Sequence, residues 1–152
     1  MTAPAAPRPP RTRTHPESVE QRLFVQRWRL HPFTSKLPAC AVPNGGRRGA
    51  REAAILKAEG VSAGVPDWLC FQPGTTRVNG KLQYVVGLAL EFKRPDKPPR
   101  ITLEQREWHD HLRECGWRVE IVRSAAEAWW IVEDCYEPEL RPPQGPRPGS
   151  PR

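Results

Sequence analysis

The chain has no long hydrophobic run and little apolar content overall. Only 38% of its 152 residues are hydrophobic, and no apolar stretch approaches the roughly 20 residues of a membrane-spanning helix. The N-terminus is rich in proline and arginine and lacks the apolar core of a signal peptide. We therefore expect a soluble intracellular protein with no membrane partner.

The sequence also lacks any C-x-x-C pair. Its four cysteines are widely separated and lie within apolar stretches, at positions Cys40, Cys70, Cys115 and Cys135. This spacing argues against a structural zinc site. We expect buried free thiols in a reducing compartment.

Proline and arginine are concentrated at the two ends of the chain. Of the 19 prolines, five lie in residues 1–16 and six in residues 137–152. These segments predict a disordered basic tail and a disordered Pro-rich tail around one folded domain, residues 17–136. The formal net charge of +7 favours an anionic partner, most commonly nucleic acid for a soluble protein.

Hydrophobic periodicity in the body predicts alternating helices and strands. The predicted helices cover residues 17–29, 47–59, 102–116 and 124–132, and the predicted strands cover residues 37–42, 68–71, 82–92 and 117–121. This order indicates an α/β domain built on a mixed sheet. The turn-rich segment 73–80 predicts that the second and third strands pair as an antiparallel hairpin.

Two helices carry specific burial expectations. The first should bury Val19, Leu23, Phe24 and Trp28. The third should bury Leu103, Trp108, Leu112 and Cys115, and it should leave His109 and His111 solvated on its charged face. Glu20 borders the buried face of the first helix.

The third predicted strand ends in Glu91-Phe92-Lys93. Side chains alternate along a strand, so Glu91 and Lys93 point to one face and Phe92 to the other. A carboxylate and an ammonium at the end of a core strand are costly unless they pair with each other or with a ligand.

A second acid, Asp67, opens the neighbouring strand. The hairpin would bring Asp67 and Glu91 to the same end of the sheet, with Glu20, Lys93 and Gln105 as further candidates. Two converging carboxylates form a hard-oxygen site suited to Mg²⁺ or Mn²⁺. Gln105 has a second interpretation, because Thr102 and Gln105 also match a helix capping box. The two roles can coexist.

The ordered set of polar motifs resembles a known family. Gly64-Val65-Pro66-Asp67, followed by Glu91-Phe92-Lys93, resembles the PD-(D/E)xK nuclease motif. The set is extended by Glu20, by Pro43-Asn44-Gly45-Gly46-Arg47 and by Thr102-x-x-Gln105-x-x-Trp108. In this longer form it resembles the virus-type replication-repair nuclease (VRR-NUC) family.

The resemblance implies a restriction-endonuclease-like core, a mixed β-sheet flanked by helices. It also implies that Asp67, Glu91 and the backbone carbonyl of Phe92 are metal ligands, that Lys93 is the catalytic lysine, and that Glu20 and Gln105 belong to the active site.

The implied function is a Mg²⁺- or Mn²⁺-dependent endodeoxyribonuclease that cuts branched DNA such as Holliday junctions. Similar small proteins are phage or bacterial homodimers linked to DNA repair. We therefore expect a cytoplasmic protein, nucleoid-associated or in the host cytoplasm if viral. The alternative is a catalytically silent DNA-binding module of a replication or repair assembly. Such a module is expected to lack an acid or the lysine of the motif, and this sequence has all of them.

Basic residues near these motifs predict the surface that contacts DNA. Arg47, Arg48 and Arg51 open the second helix, where cations oppose the helix dipole unless an anion binds there. Arg94 and Lys97 lie in the proline-rich loop after Lys93. We expect these five side chains to contact the phosphate backbone, so that DNA shape governs selectivity.

Overall fold

A computed structural model describes residues 16–43 and 49–137 of the chain. Its helices are α1 (Pro16–Leu30), α2 (Ala50–Ala58), α3 (Leu103–Glu114) and α4 (Ala125–Tyr136). Its strands are β1 (Ala39–Ala41), β2 (Trp68–Cys70), β3 (Gly74–Val78), β4 (Lys81–Val85), β5 (Leu88–Phe92) and β6 (Arg118–Val122). The predicted tails, apart from Pro16 and Glu137, lie outside the described residues.

Four strands form the central sheet in the order β1-β2-β5-β6. β2 runs antiparallel to β1 and to β5, whereas β5 and β6 are parallel. The predicted mixed sheet is therefore confirmed. Because β2 and β5 are antiparallel and Trp68 lies opposite Leu90, the start of β2 and the end of β5 meet at one end of the sheet.

The predicted single strand over residues 82–92 is wrong, because Val86 and Gly87 interrupt it and divide it into β4 and β5. Gly87 lies so close to the Trp117 ring that an added Cβ would be 2.6 Å from it. The first half, β4, pairs with β3 in a separate two-stranded ribbon. A tight turn at Asn79 and Gly80, with φ of 51° and 76°, joins these strands. The segment predicted to be only a turn-rich connection therefore contains a strand.

An aromatic cluster fills the face of the sheet that α1 and α4 cover. Phe24 and Trp28 of α1 contact Trp68 at ring-centroid distances of 5.6 and 5.3 Å, and Phe24 lies 5.5 Å from Phe92. The expected burial of Phe24 and Trp28 is confirmed, but Val19 and Leu23 are exposed. Two aromatic side chains one helical turn apart thus attach α1 to the sheet, and the apolar stripe of α1 is narrower than predicted.

Helix α3 covers the opposite face, and several burial predictions fail there. Leu103 is 66% exposed, whereas His109 is only 2% exposed. His111 is exposed as expected, and Trp108 and Leu112 are half-buried. The physical reason is that α3 lies over the charged end of β5, so its inward face carries polar residues.

All four cysteines are free thiols, as expected. Cys70 and Cys135 are buried, but Cys40 and Cys115 are exposed, which contradicts the prediction for those two. Within the described residues, no helix is both long and apolar enough to cross a membrane.

A buried ion cluster ties α4 to the sheet. The Arg118 guanidinium donates to Asp134 of α4 at 2.8 Å and to Glu120 at 3.1 Å. It also donates to the carbonyl of Thr75 at 3.3 Å, which connects β6 to the β3–β4 ribbon. Both partners of the Arg118–Asp134 pair are largely buried.

Removing one member of this cluster should be strongly destabilising. Asp134→Ala leaves the buried guanidinium partly uncompensated, and we expect a loss of about 3–5 kcal/mol in the free energy of unfolding, measured with urea. The matched control is Asp110→Ala, which removes an exposed pair with Arg113 and should cost less than about 1 kcal/mol. Equal losses in the two variants would contradict this account.

Candidate active site

Asp67 is held at the end of β5 by a backbone hydrogen bond. The residue immediately precedes β2, and its Oδ2 accepts from the Phe92 N–H at 2.8 Å. On the other side, the Gln21 side-chain amide donates to the Asp67 carbonyl at 3.4 Å. Asp67 therefore sits where α1, β2 and β5 meet, and the structure brings it beside Glu91.

Glu91, Lys93 and Gln105 form a compact hydrogen-bonded cluster. Lys93 Nζ lies 2.8 Å from Glu91 Oε1 and donates to Gln105 Oε1 at 3.1 Å. The Gln105 amide nitrogen donates to the same Glu91 oxygen at 2.5 Å. The alternation predicted for the strand end holds, since Glu91 and Lys93 meet on one face while Phe92 is buried in the aromatic cluster on the other.

Gln105 makes both of the contacts that its sequence context allows. It completes a capping box with Thr102 at the start of α3, because its Oε1 accepts from the Thr102 N–H at 3.1 Å and its own N–H donates to Thr102 Oγ1 at 3.2 Å. The same side chain reaches Glu91 and Lys93. The beginning of α3 is thus fixed directly over the strand end.

The loop before Asp67 is fitted against the same helix start. Gly64 has φ of +88°, and an added Cβ would lie 2.5 Å from the backbone of Glu104. Only glycine combines that backbone conformation with so close an approach. Gly64 therefore sets the distance between the Asp67 loop and Gln105.

The environment of Asp67 disfavours its charged form. Burial, followed by the negative charge of Glu91, raises the pKa of Asp67 to about 7. The Phe92 N–H and Lys93 oppose this rise, whereas Glu17 adds to it. A bound cation between the acids would remove the penalty.

His109 faces the buried carboxylate of Glu91. Its Nε2 lies 3.8 Å from Glu91 Oε2, and within residues 16–43 and 49–137 neither atom has a hydrogen-bond partner. The expectation that His109 is solvated is therefore wrong. A histidine on a charged helix looked ordinary in sequence, because nothing local shows that α3 turns this face toward Glu91.

Two acids of α1 have different surroundings. Glu20 Oε2 accepts from the Ala125 N–H at 2.7 Å, so it caps the first turn of α4. Among the described contacts, Glu20 has none with Asp67 or Glu91. Glu17, which sequence reasoning did not assign to the site, is close enough to raise the pKa of Asp67.

The basic residues predicted to contact DNA are only partly described. Arg47 and Arg48 lie outside the described residues, as do Asn44, Gly45 and Gly46 of the predicted motif, and Arg51 is exposed on α2. Arg94 makes a two-point pair with Asp96 at 2.7 and 2.9 Å.

Arg123, which the sequence reasoning missed, holds the loop after Lys93. Its guanidinium donates to the carbonyls of Arg94, Pro95 and Lys97 at 3.4, 2.8 and 2.9 Å. These contacts order the loop that carries Arg94 and Lys97. No sequence signal points to this role, since a carbonyl-binding arginine has no motif.

The carboxylates fit a hard divalent cation. In the described parts of the chain, no three His, Cys, Asp or Glu side chains form a metal-binding group. Mg²⁺ needs only one or two carboxylates, together with water and other oxygens. Asp67 and Glu91 supply these, and the buried, unpartnered Oε2 of Glu91 is an acceptor that a cation would satisfy.

Comparison with known proteins identifies this arrangement. The VRR-NUC domain family model matches residues 15–126, which include Asp67, Glu91, Lys93 and Gln105. The chain belongs to the VRR-NUC domain family. It therefore carries a nuclease-type domain, a hydrolase that acts on DNA.

A solved structure supports the fold. A "VRR_NUC domain protein" is 20% identical and superimposes with a TM-score of 0.58, covering 80% of this chain and 88% of its own. At this identity the likeness shows the shared fold. None of the curated proteins matches the chain.

The raised pKa of Asp67 predicts a pH-dependent stability in the absence of metal. The folded state holds the proton of Asp67 more tightly than the unfolded state does. Protonated Asp67 therefore adds to the free energy of unfolding below about pH 4, and this contribution is lost as pH rises to about 7. The free energy of unfolding of the wild type, relative to Asp67→Asn, should fall by up to about 4 kcal/mol across this window.

The measurement is urea unfolding in EDTA at several pH values. Asp110→Asn is the control, because it removes an exposed acid of α3 that lies outside the cluster. A wild-type minus Asp67→Asn difference that does not change with pH would show that the folded state does not raise this pKa.

Proposed function

We propose that the protein is a metal-dependent, structure-selective endonuclease that hydrolyses phosphodiester bonds in branched DNA. The observation that carries the proposal is the joining of Glu91, Lys93 and Gln105 in one cluster beside Asp67. Membership of a nuclease family supports the reaction type. The choice of branched DNA, such as a four-way junction, comes from the resemblance of the motif set.

Asp67, Glu91 and the backbone carbonyl of Phe92 would hold Mg²⁺ or Mn²⁺. When bound, the cation supplies Lewis-acid stabilisation of the charge that develops on the phosphate. The protein contributes two carboxylates that the fold holds next to each other despite their mutual repulsion. Glu20 could join them only by leaving its contact with Ala125, so its role as a ligand stays a prediction.

Lys93 serves the reaction as a fixed positive charge. Its ammonium donates to both Glu91 Oε1 and Gln105 Oε1, so two acceptors define its position before substrate arrives. In this arrangement, Lys93 stabilises negative charge on the phosphate in the transition state, which preorganised charges do at little reorganisation cost. Gln105 positions Lys93 and Glu91 relative to each other.

Loss of either central side chain should abolish cleavage and leave DNA binding largely intact. We expect Asp67→Ala and Lys93→Ala to lower the rate of nicking at least about a hundredfold, as removal of a key electrostatic group does. Cleavage is measured with Mg²⁺ and with Mn²⁺, and binding is measured in EDTA by fluorescence anisotropy.

The matched control for Lys93→Ala is Lys81→Ala, which removes an exposed lysine next to the β3–β4 turn. This variant should cut at the wild-type rate. Normal cleavage by Asp67→Ala or Lys93→Ala would mean that the site assignment is wrong.

The proposed branched-DNA substrate implies that the protein acts as a homodimer. Symmetric cleavage of a junction requires two active sites, and closed twofold dimers are the commonest way to provide them. DNA shape, rather than base contacts, would then select the substrate. We place this activity in the cytoplasm, where the DNA of a bacterium or of a phage is accessible.

A panel of DNA structures tests this selectivity. The enzyme should cut a four-way junction faster than flapped, nicked or linear duplex DNA, and it should introduce paired nicks at symmetric positions of the junction. Equal rates on all four substrates would contradict structure selectivity. No cleavage of any of them with Mg²⁺ or Mn²⁺ would favour the silent DNA-binding module.

A further inference from the structure

A groove of about 720 Å³ runs along one face of α1. Its α1 residues recur at helical spacing, so they form a continuous wall, and Ala41 of the edge strand β1 lines the groove as well. The polar side chains of this wall are Ser18, Gln21, Arg22, Gln26 and Arg29. No acidic side chain lines the groove among the described residues.

The two arginines of the wall are exposed and share one helix face. Arg22 and Arg29 are separated by two helical turns, which places them about 10 Å apart along the axis. Within residues 16–43 and 49–137, neither guanidinium forms an ion pair with a carboxylate. Arg27 differs, because it stacks on Trp129 at 4.2 Å and lies 3.8 Å from Glu133.

The acids of α1 are directed away from this wall. Glu20 caps α4 through Ala125, and the charge of Glu17 acts on Asp67. The acidic and basic side chains of α1 therefore lie on different faces of the helix. Its acids face the sheet and the active site, and the groove retains a net positive wall.

One end of the groove lies next to the backbone of Asp67. Gln21 lines the groove, and its amide nitrogen donates to the carbonyl of Asp67 at 3.4 Å. A polymer bound with a phosphate at Asp67 would therefore pass close to this wall.

We propose that this groove binds the DNA backbone next to the scissile phosphate, with Arg22 and Arg29 contacting two phosphates of one strand that lie about three nucleotides apart. The proposal rests on the proposed function for its substrate. The spacing of the two arginines corresponds to about three nucleotide steps along one strand of a duplex. The amides of Gln21 and Gln26 add neutral donors for phosphate oxygens.

The salt dependence of binding tests the groove separately from catalysis. Affinity for a short DNA duplex is measured by anisotropy in EDTA over a series of salt concentrations. The double variant Arg22→Gln/Arg29→Gln should bind more weakly, and the magnitude of its slope of log K against log salt should fall by about two. Arg22→Lys/Arg29→Lys, which keeps both charges, should preserve the slope.

The matched control removes two exposed charges elsewhere. Arg77→Gln/Lys81→Gln changes one residue of β3 and one of β4, on either side of their turn, and should leave the slope unchanged. Any of three results would overturn the proposal. The slope could be unchanged in the groove variant, it could decrease equally in the control, or the wild type could fail to bind DNA. A changed groove slope in a protein that cuts no DNA would uphold the groove and reject the nuclease assignment, so the two failures are distinguishable.

Discussion

The burial of the Glu91 carboxylate is the constraint on which the rest of the site depends. Only 2% of this residue is exposed, and an ionised carboxylate at such a position is stable only with charged or hydrogen-bonding partners. Lys93 from the same strand and Gln105 from α3 both contact Oε1. The second oxygen faces His109 without a hydrogen bond among the described residues. The described residues thus satisfy one oxygen of this carboxylate and leave the other without a hydrogen bond.

The sheet topology brings a second acid next to this carboxylate. Antiparallel pairing of β2 with β5 places Asp67 against the backbone of Phe92, one residue from Glu91. Two acids that repel each other are held together because Phe92 and Trp68 anchor the opposite face in the aromatic cluster. Stability is supplied by one face of the sheet, and the other face tolerates charges that disfavour folding.

The charged end of β5 could be predicted from sequence because the patterns that place its side chains are local. The two-residue period of a strand places Glu91 and Lys93 together, and the capping box identifies the role of Gln105 at the start of α3. The contacts of His109, Arg123 and Glu20 could not be predicted, because each depends on how a distant element packs. The missed strand β3 has a different cause, since the turn residues around it concealed a short run of β-branched side chains.

Residues 123 to 125, which connect β6 to α4, affect how inactive variants should be interpreted. Arg123 binds three carbonyls of the loop after Lys93, Ser124 caps α4, and Ala125 receives the Glu20 carboxylate. Three separate parts of the chain are therefore fastened at one short connection. A mutational screen scored only by DNA cleavage would rank these positions alongside Asp67 and Lys93, although their contacts hold α1, α4 and the loop after Lys93 together.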